Sequence, residues 1–569
     1  MKQGAMLNVY PDSMGGKLAD IVCWLKEPAM RKAFGSIYIL PSLFNSDLDR
    51  GFSIISYDLD EELASTADIE ALRAMGMDVT LDFVLNHISV LSAQFQDILK
   101  KGEASEWKDF FINWNSFWQA HGKMTEDGYI QPDPDCVEHM FFRKPSLPLL
   151  MVPFPDGYSV PYWNTFYKQV TYEHITAQDI LESLPIQYHT AVRLADDINR
   201  VLSAGQQIAQ IPLCTKEPFR GAIERMIQAK ARYLGQMDLN VHSDRVWGYY
   251  RKTIETLARY GAKLIRLDAF AYVSKVPGKR NFFNEPETWE ILDRIQKIAQ
   301  EHDVQVIPEI HEAYQTACYE KIARKGYMEY DFFLPGLILD ALEKADGTYL
   351  TAWVNELVHK QIRTVNMLGC HDGIPLLDLK GLLPDERIES LIQLVVERGG
   401  LIKNLHGKRD IYYQVNATYY SALGENDLKL LAARAIQLFT PGIPQVWYLD
   451  LFAGKNDLDA VKRAGESGHK EINRTNLTHD QIRQAMKRQV VRKQLELLAL
   501  RAENPAFLEG ARVEASLNGM TCYHVQWSNH GTSAMLEVDL STAEFSICLM
   551  NDAGEWTMAE EFRLSVSND

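Results

Sequence analysis

Two acidic residues carry the first chemical signal in this sequence. A mainly apolar run, Leu264 to Leu267, delivers Asp268; a helix-patterned segment covers roughly Pro286 to Glu301; a second apolar run, Val304 to Pro308, delivers Glu309. Strand, helix, strand, with a carboxylate at the end of each strand, reads as one βαβ unit of a parallel barrel. Active sites of such barrels lie on the face where the strands end. Two carboxylates on neighbouring strand ends could flank a glycosidic bond, one as nucleophile and one as proton donor. The bland alternative is two surface acids that close two buried strands.

The elements that must position them recur along the chain. Strand-like runs are expected at 6–10, 36–40, 78–85, 264–267, 304–308, near 328–334 and 364–369, and at 443–448. The third ends in Asn86 and His87, and the seventh delivers His371 and Asp372. The fold class this predicts is α/β, a TIM (β/α)8 barrel with inserted subdomains and a small C-terminal antiparallel β domain. The expected division is barrel over 1–87, an inserted subdomain rich in Trp, Phe and Pro over 88–165, and barrel again over 166–373 with an atypical helical insertion at about 170–235. A further inserted subdomain spans 374–425, the last barrel part 426–506 with a charged helix at about 480–502, and short alternating strands fill 507–569.

Composition bounds the chemistry. A chain of 569 residues with 46% hydrophobic and 24% charged content holds a large packed core. The net charge of −17 argues against a nucleic-acid partner, and no run approaches the length of a membrane span. The amino terminus lacks the apolar core of a signal peptide. Seven widely spaced cysteines, without a CxxC or a Cys/His cluster that suggests zinc, read as reduced thiols of a cytoplasmic protein. No metal and no cofactor are expected, and no acidic stretch has calcium-loop spacing.

Four motifs, DFVLNH (82–87), IRLDA (265–269), the Glu of PEIHE (308–312) and the HD of CHDG (370–373), resemble the α-amylase superfamily, glycoside hydrolase family 13. DRGF (49–52), YQVNATYYSALG (413–424), PGIPQV (441–446), AGKND (453–457) and INR (472–474) look like its sucrose phosphorylase subfamily. The resemblance implies glucosyl transfer with retention from sucrose, or sucrose 6'-phosphate, to inorganic phosphate through a covalent glucosyl-enzyme. Small sugars and phosphate are the implied partners, with a possible homodimer. The alternatives are a glucosylglycerol phosphorylase, or a hydrolase or transglucosidase of the same fold.

The resemblance also implies roles. Asp268 is the expected nucleophile, with Arg266 on the same strand keeping it ionised and oriented. Glu309 is the expected general acid/base, which calls for surroundings that raise its pKa. Asp372 matches the third carboxylate, and His87 and His371 match neutral donors around the glucose ring. Asp49 and Arg474 match a pair closing the far side of the pocket, while Phe52, Phe166 and Tyr272 match apolar walls. His311 matches a residue tied to fructosyl acceptors, and Tyr413 and Gln414 align with the acceptor loop.

The acceptor side departs from the pattern. RDIYYQVN stands where Asp-x-Tyr-Gln is usual, which leaves Asp410 a displaced fructose contact. Pro375 in CHDGIP stiffens the loop after the third carboxylate. YPDSMGG (10–16), CHDGIP and the basic pair Arg143 and Lys144 look more like relatives that accept phosphorylated sucrose, although those carry histidine at the place of Tyr413. Arg143 and Lys144 lie where the subfamily keeps a basic residue for phosphate.

Overall fold

The structure, a computed structural model, describes residues 3–140, 146–166, 168–203, 219–404, 412–550 and 554–558. Eight parallel strands form the barrel: β1 (Ala5–Val9), β2 (Phe34–Ile39), β3 (Asp78–Val84), β4 (Ala262–Asp268), β5 (Gln305–Pro308), β6 (Glu329–Asp331), β7 (Thr364–Met367) and β8 (Ile443–Trp447). Their order, β5-β4-β3-β2-β1-β8-β7-β6, is the sequence order wrapped around a ring that is nearly closed between β5 and β6. Strands buried on both faces must be apolar almost throughout, which is why runs such as Leu264–Leu267 were readable.

Register decides which polar side chains meet at the strand ends. Arg266 of β4 lies opposite Asp82 of β3, and Asp268 opposite Val84. Side chains two apart on a strand share a face, so Arg266 and Asp268 both point into the barrel mouth, with Asp82 beside them.

Three excursions leave this ring. After β3, residues 87–89 begin a region whose indoles Trp114, Trp118 and Trp163 build a small core of their own. The helices Ala177–Ser183, Tyr188–Ser203 and Phe219–Ala229 follow. They enclose a separate apolar cluster that includes Ile180, Leu194, Ile198 and Ile223. The strand Ala231–Asp238 then returns, pairing antiparallel with Lys168–Tyr172 and with His87–Ser89. The third excursion carries the helix Asp385–Glu397 and the strand pair Leu401–Asn404 and Tyr412–Asn416.

The charged helix expected at about 480–502 is two helices, His479–Ala485 and Gln489–Glu503. Arg488 is extended between them (φ −68°, ψ 138°). Its guanidinium donates to the carbonyls of Phe452 (3.3 Å) and Ala453 (3.1 Å), which holds the break open. Beyond them, β9 (Arg512–Asn518), β10 (Cys522–Asn529), β11 (Thr532–Asp539), β12 (Phe545–Met550) and β13 (Trp556–Met558) form an antiparallel meander. Alternate residues of β10 and β11 are buried, and the Trp527 indole donates to the Phe439 carbonyl at 2.7 Å, fixing the sheet to the barrel. Among the described residues no helix is long and apolar enough to cross a membrane.

Candidate active site

One guanidinium organises the barrel mouth. Arg266 Nη1 lies 2.7 Å from Asp82 Oδ1 and 2.8 Å from Asp268 Oδ1, and its Nη2 lies 2.7 Å from Glu309 Oε1. All four side chains are almost wholly withdrawn from solvent. Ala269, next after Asp268, sits in the left-handed region (φ +53°) and turns its N–H onto Glu309 Oε2 at 3.2 Å. A non-glycine residue held there marks stored backbone strain of the kind concentrated at functional sites.

Burial works against ionisation of all three carboxyls, and the neighbouring cations offset it unequally. Burial pushes Asp82 up to about 6, against Arg266 and the Tyr38 hydroxyl that donates to it at 2.8 Å. Burial and the neighbouring Glu309 charge push Asp268 well above the usual carboxylate range. Burial works in the same direction on Glu309, but Arg266 and His311 outweigh it and hold that carboxyl low. The expectation of raised-pKa surroundings for Glu309 is therefore not met in this arrangement. The physical reason is that Arg266, expected to serve Asp268, reaches the next strand as well.

His311 follows Glu309 on the same strand end. Its Nε2 lies 3.4 Å from Glu309 Oε1, its Nδ1 2.9 Å from Asp378 Oδ2, and its ring stacks on Phe332 at 3.8 Å between centroids. Burial disfavours the imidazolium, yet Asp378 and Glu309 raise its pKa from 6.5 to about 9. A raised folded-state pKa means that His311 contributes stability fully present below about pH 6.5 and lost as pH rises through about 9. Replacing Asp378 by Asn should flatten that part of the curve; chemical denaturation of both proteins across this window checks it. An unchanged slope would show that Asp378 does not hold the proton on His311.

The opposite wall gathers around Asp372. Lys470 Nζ lies 2.5 Å from Asp372 Oδ1, Arg474 Nη2 3.6 Å from the same oxygen, and His371 Nε2 3.2 Å from Oδ2. These groups overcome burial and hold Asp372 well below the usual range. Arg474 also approaches Asp49 at 3.3 Å and donates from Nε to the His371 carbonyl at 2.9 Å. Asp49 and Arg50 both have φ of +48°, and Gly51 follows at +109°. A Cβ on Gly51 would meet the Ser42 amide nitrogen at 2.0 Å, so only glycine closes this turn.

Aromatic groups line the space between. Phe52 stacks on His371 (5.0 Å, 12°), Phe166 packs against His87 (4.6 Å) and edge-on to Tyr272 (5.1 Å). Burial lowers His87 to about 4 and His371 to about 3, which leaves both imidazoles neutral. His87 Nε2 hydrogen-bonds with the Phe52 carbonyl at 3.1 Å.

A buried ammonium supports this wall from below. Lys275 Nζ lies 2.8 Å from Asp238 Oδ2 and donates to Asn86 Oδ1 (2.8 Å) and the Tyr272 carbonyl (2.7 Å). Asp238 in turn accepts from Asn86, the Thr165 amide and the Thr165 hydroxyl. The network fixes the neighbours of His87 and Phe166. Lys275→Met leaves Asp238 buried without its counter-charge and should cost about 3–5 kcal/mol. Denaturant unfolding measures this, and a variant as stable as the parent would contradict it.

Asp268, Glu309, Arg266, Asp372, His87, His371, His311, Asp49, Arg474, Phe52, Phe166 and Tyr272 are thus linked through two contiguous clusters. Gln414 is buried in the strand Tyr412–Asn416, which is joined to the Asp372 loop by the Asn416 amide donating to the Asp372 carbonyl at 2.7 Å. Tyr413 lies in the same strand; its side chain, and Arg143, Lys144 and Asp410 entirely, fall outside the described residues. Sequence reasoning missed Lys470, Asp378, Asp82 and Lys275. None had a local signal: Lys470 stands four residues before Arg474, but its segment is a 3-10 helix, in which residues three apart share a face.

No protein-family model matches the chain. It is 47% identical over 556 residues, 96% of each chain, to the sucrose 6(F)-phosphate phosphorylase of Ilumatobacter coccineus. To the sucrose phosphorylase of Streptococcus mutans it is 31% identical, covering 95% of this chain and 96% of the relative. The crystal structure of sucrose 6F-phosphate phosphorylase from Thermoanaerobacter thermosaccharolyticum superposes with a TM-score of 0.80 at 31% identity, covering 98% of this chain and 97% of that one. With its barrel, its carboxylates at strand ends and relatives of this likeness along its length, the chain belongs to the sucrose phosphorylase subfamily of the α-amylase superfamily, glycoside hydrolase family 13, and is a phosphorylase of the glycosyl-transferring kind.

Proposed function

We propose that this enzyme transfers the glucosyl group of sucrose 6F-phosphate to inorganic phosphate with retention, giving α-glucose 1-phosphate and fructose 6-phosphate. The joint hold of Arg266 on Asp268 (2.8 Å) and Glu309 (2.7 Å) carries the chemistry, and the substrate follows the relative with 47% identity. Asp268 attacks the anomeric carbon while Glu309 protonates the leaving fructosyl oxygen. The pair reacts with Asp268 ionised and Glu309 protonated, one proton between the two carboxyls. Positive charge developing at the anomeric carbon favours ionised Asp268 and so favours that proton on Glu309. In the second step Glu309 takes a proton from phosphate, a phosphate oxygen displaces Asp268, and the original configuration returns.

Asp372, held ionised, orients sugar hydroxyls, with the neutral His87 and His371 as donors. Phe52, Phe166 and Tyr272 wall the ring, and Asp49 with Arg474 closes the pocket against longer glucans. Arg143 and Lys144 are assigned to an anionic group, and His311, Tyr413, Gln414 and Asp410 to the acceptor side. The excursions at 88–165, 170–235 and 374–425 frame that entrance. We place the protein in the cytoplasm, where phosphorylated sugars and inorganic phosphate are both available.

The test supplies phosphate with sucrose 6F-phosphate, sucrose or glucosylglycerol and follows glucose 1-phosphate. Phosphate-dependent product from sucrose 6F-phosphate, well above the other two, is expected. Equal release of free glucose without phosphate would overturn the phosphorylase reading; preference for another donor would overturn the substrate.

A further inference from the structure

We propose that Cys522, His524 and Glu537 form a binding site for a divalent cation of the zinc class on the solvent face of the C-terminal sheet. Cys522 and His524 are alternate residues of β10 and leave the strand on the same side. Between and beside them, Tyr523 and Val525 are fully buried on the other side, so the outward direction is fixed by the core. Antiparallel register sets His524 directly opposite Glu537 of β11, and Cys522 opposite Asp539. The sequence shows only a Cys-x-His pair; the third donor arrives from the neighbouring strand, which is why no metal motif was legible.

The three donors are already gathered. Cys522 Sγ lies 3.2 Å from His524 Nε2, and His524 Nδ1 lies 3.5 Å from Glu537 Oε2. One ligand atom from each of the three residues falls within 4.8 Å of the other two. Two ligands of a tetrahedral zinc ion, at about 2.3 Å for sulfur and 2.0–2.1 Å for nitrogen, stand roughly 3.5 Å apart. The sulfur and imidazole therefore need little movement. Cys522 meets the ring at Nε2 and Glu537 meets it at Nδ1; a metal takes only one of these nitrogens, so the half-exposed, long Glu537 side chain is the ligand that swings to the Cys522 side.

Thiolate, imidazole and carboxylate together suit a borderline cation such as Zn2+ better than Mg2+ or Ca2+, which favour oxygen. Coordination replaces the Cys522 proton, which leaves to solvent. Water completes the shell on the open side. Asp539 is engaged elsewhere, accepting from the Ser541 amide (2.8 Å) and hydroxyl (2.6 Å) on one oxygen. The strands are paired from Asn529 and Thr532 to Cys522 and Asp539, so both backbones are in place before any metal binds.

Full-length protein freed of metal by a chelator is titrated with Zn2+ by calorimetry and with Co2+ by absorption. One saturable Zn2+ per chain and a thiolate-to-cobalt charge-transfer band are expected. Cys522→Ser should remove the band. Cys522→Ser and His524→Ala should each weaken Zn2+ by at least about tenfold, the lower end of what loss of a mere outer-shell partner costs. Cys548→Ser, which removes a thiol from β12, should leave both unchanged, and phosphorolysis by Cys522→Ser should match the parent. Absence of saturable binding, or binding that survives both Cys522→Ser and His524→Ala, would overturn the site.

Discussion

Asp268→Asn should fold normally and lose turnover by roughly 10^4-fold or more, the scale seen when a covalent nucleophile is removed. The substitution keeps size and shape, and it removes a charge that the cluster holds only with difficulty. Burial and Glu309 already push this carboxyl up. The Asn variant escapes that penalty of burial and repulsion, and its stability should equal or exceed that of the parent near neutral pH. Activity and stability should thus move in opposite directions. Loss of activity together with loss of stability would indicate a structural acid instead. Retention of normal turnover would remove Asp268 from the mechanism.

Arg266→Ala should damage both. Asp82, Asp268 and Glu309 all lie within 2.8 Å of its guanidinium, and none is more than 12% exposed at its side chain. Taking away one partner of a buried charged cluster costs about 3–5 kcal/mol, and loss of a preorganised charge at the reacting centre costs about 10^2–10^3 in kcat. The pH dependence carries the sharper signature. Without Arg266 the folded-state pKa of each acid rises, those of Asp82 and Asp268 further above their unfolded values and that of Glu309 up from below its own. Stability gained from their protonation is complete at acid pH and lost as pH rises through those raised values. The variant should therefore weaken more steeply than the parent between acid and neutral pH, as urea unfolding at several pH values would record. Arg266→Lys should not rescue it, because one ammonium nitrogen would replace a planar fork whose Nη1 holds Asp82 and Asp268 while its Nη2 holds Glu309. A variant with the parent's pH profile would mean that Arg266 is not the counter-charge of the cluster.

What the sequence made legible, and what it did not, follows one physical line. The eight strands were readable because a strand buried on both faces must be apolar, and their polar endings, such as Asn86-His87 and His371-Asp372, stand out against that background. Asp268 and Glu309 were found in this way. Arg266 was assigned to Asp268 because two-residue spacing is visible in one strand; its contacts with Asp82 and Glu309 depend on strand register, which is not. Asp378 and Lys470 reach the site from short 3-10 turns, Leu377–Leu379 and Gly465–Asn473, where no periodicity announces direction. The opposite pKa shifts of Asp268 and Glu309 escaped for the same reason. They are set by which carboxylate the guanidinium and His311 touch, and the family roles alone do not contain that geometry.

The helical insertion at 170–235 shows the converse. Its helices were apparent from their patterning, and their apolar faces close on one another in a core of their own. Such a unit can be added to a barrel without disturbing the strand-end residues. That is how a chain can keep its carboxylates in place while carrying so large an excursion.

The most direct measurement is to trap the sugar on the enzyme. The protein is incubated with a fluorinated glucosyl donor that forms the intermediate faster than phosphate or water can resolve it, then digested and mapped by mass spectrometry. A single glucosyl adduct on the peptide containing Asp268, released when phosphate is added, is the predicted result. An adduct on a different residue, or full turnover with no adduct and a product of inverted configuration, would contradict a retaining mechanism through Asp268.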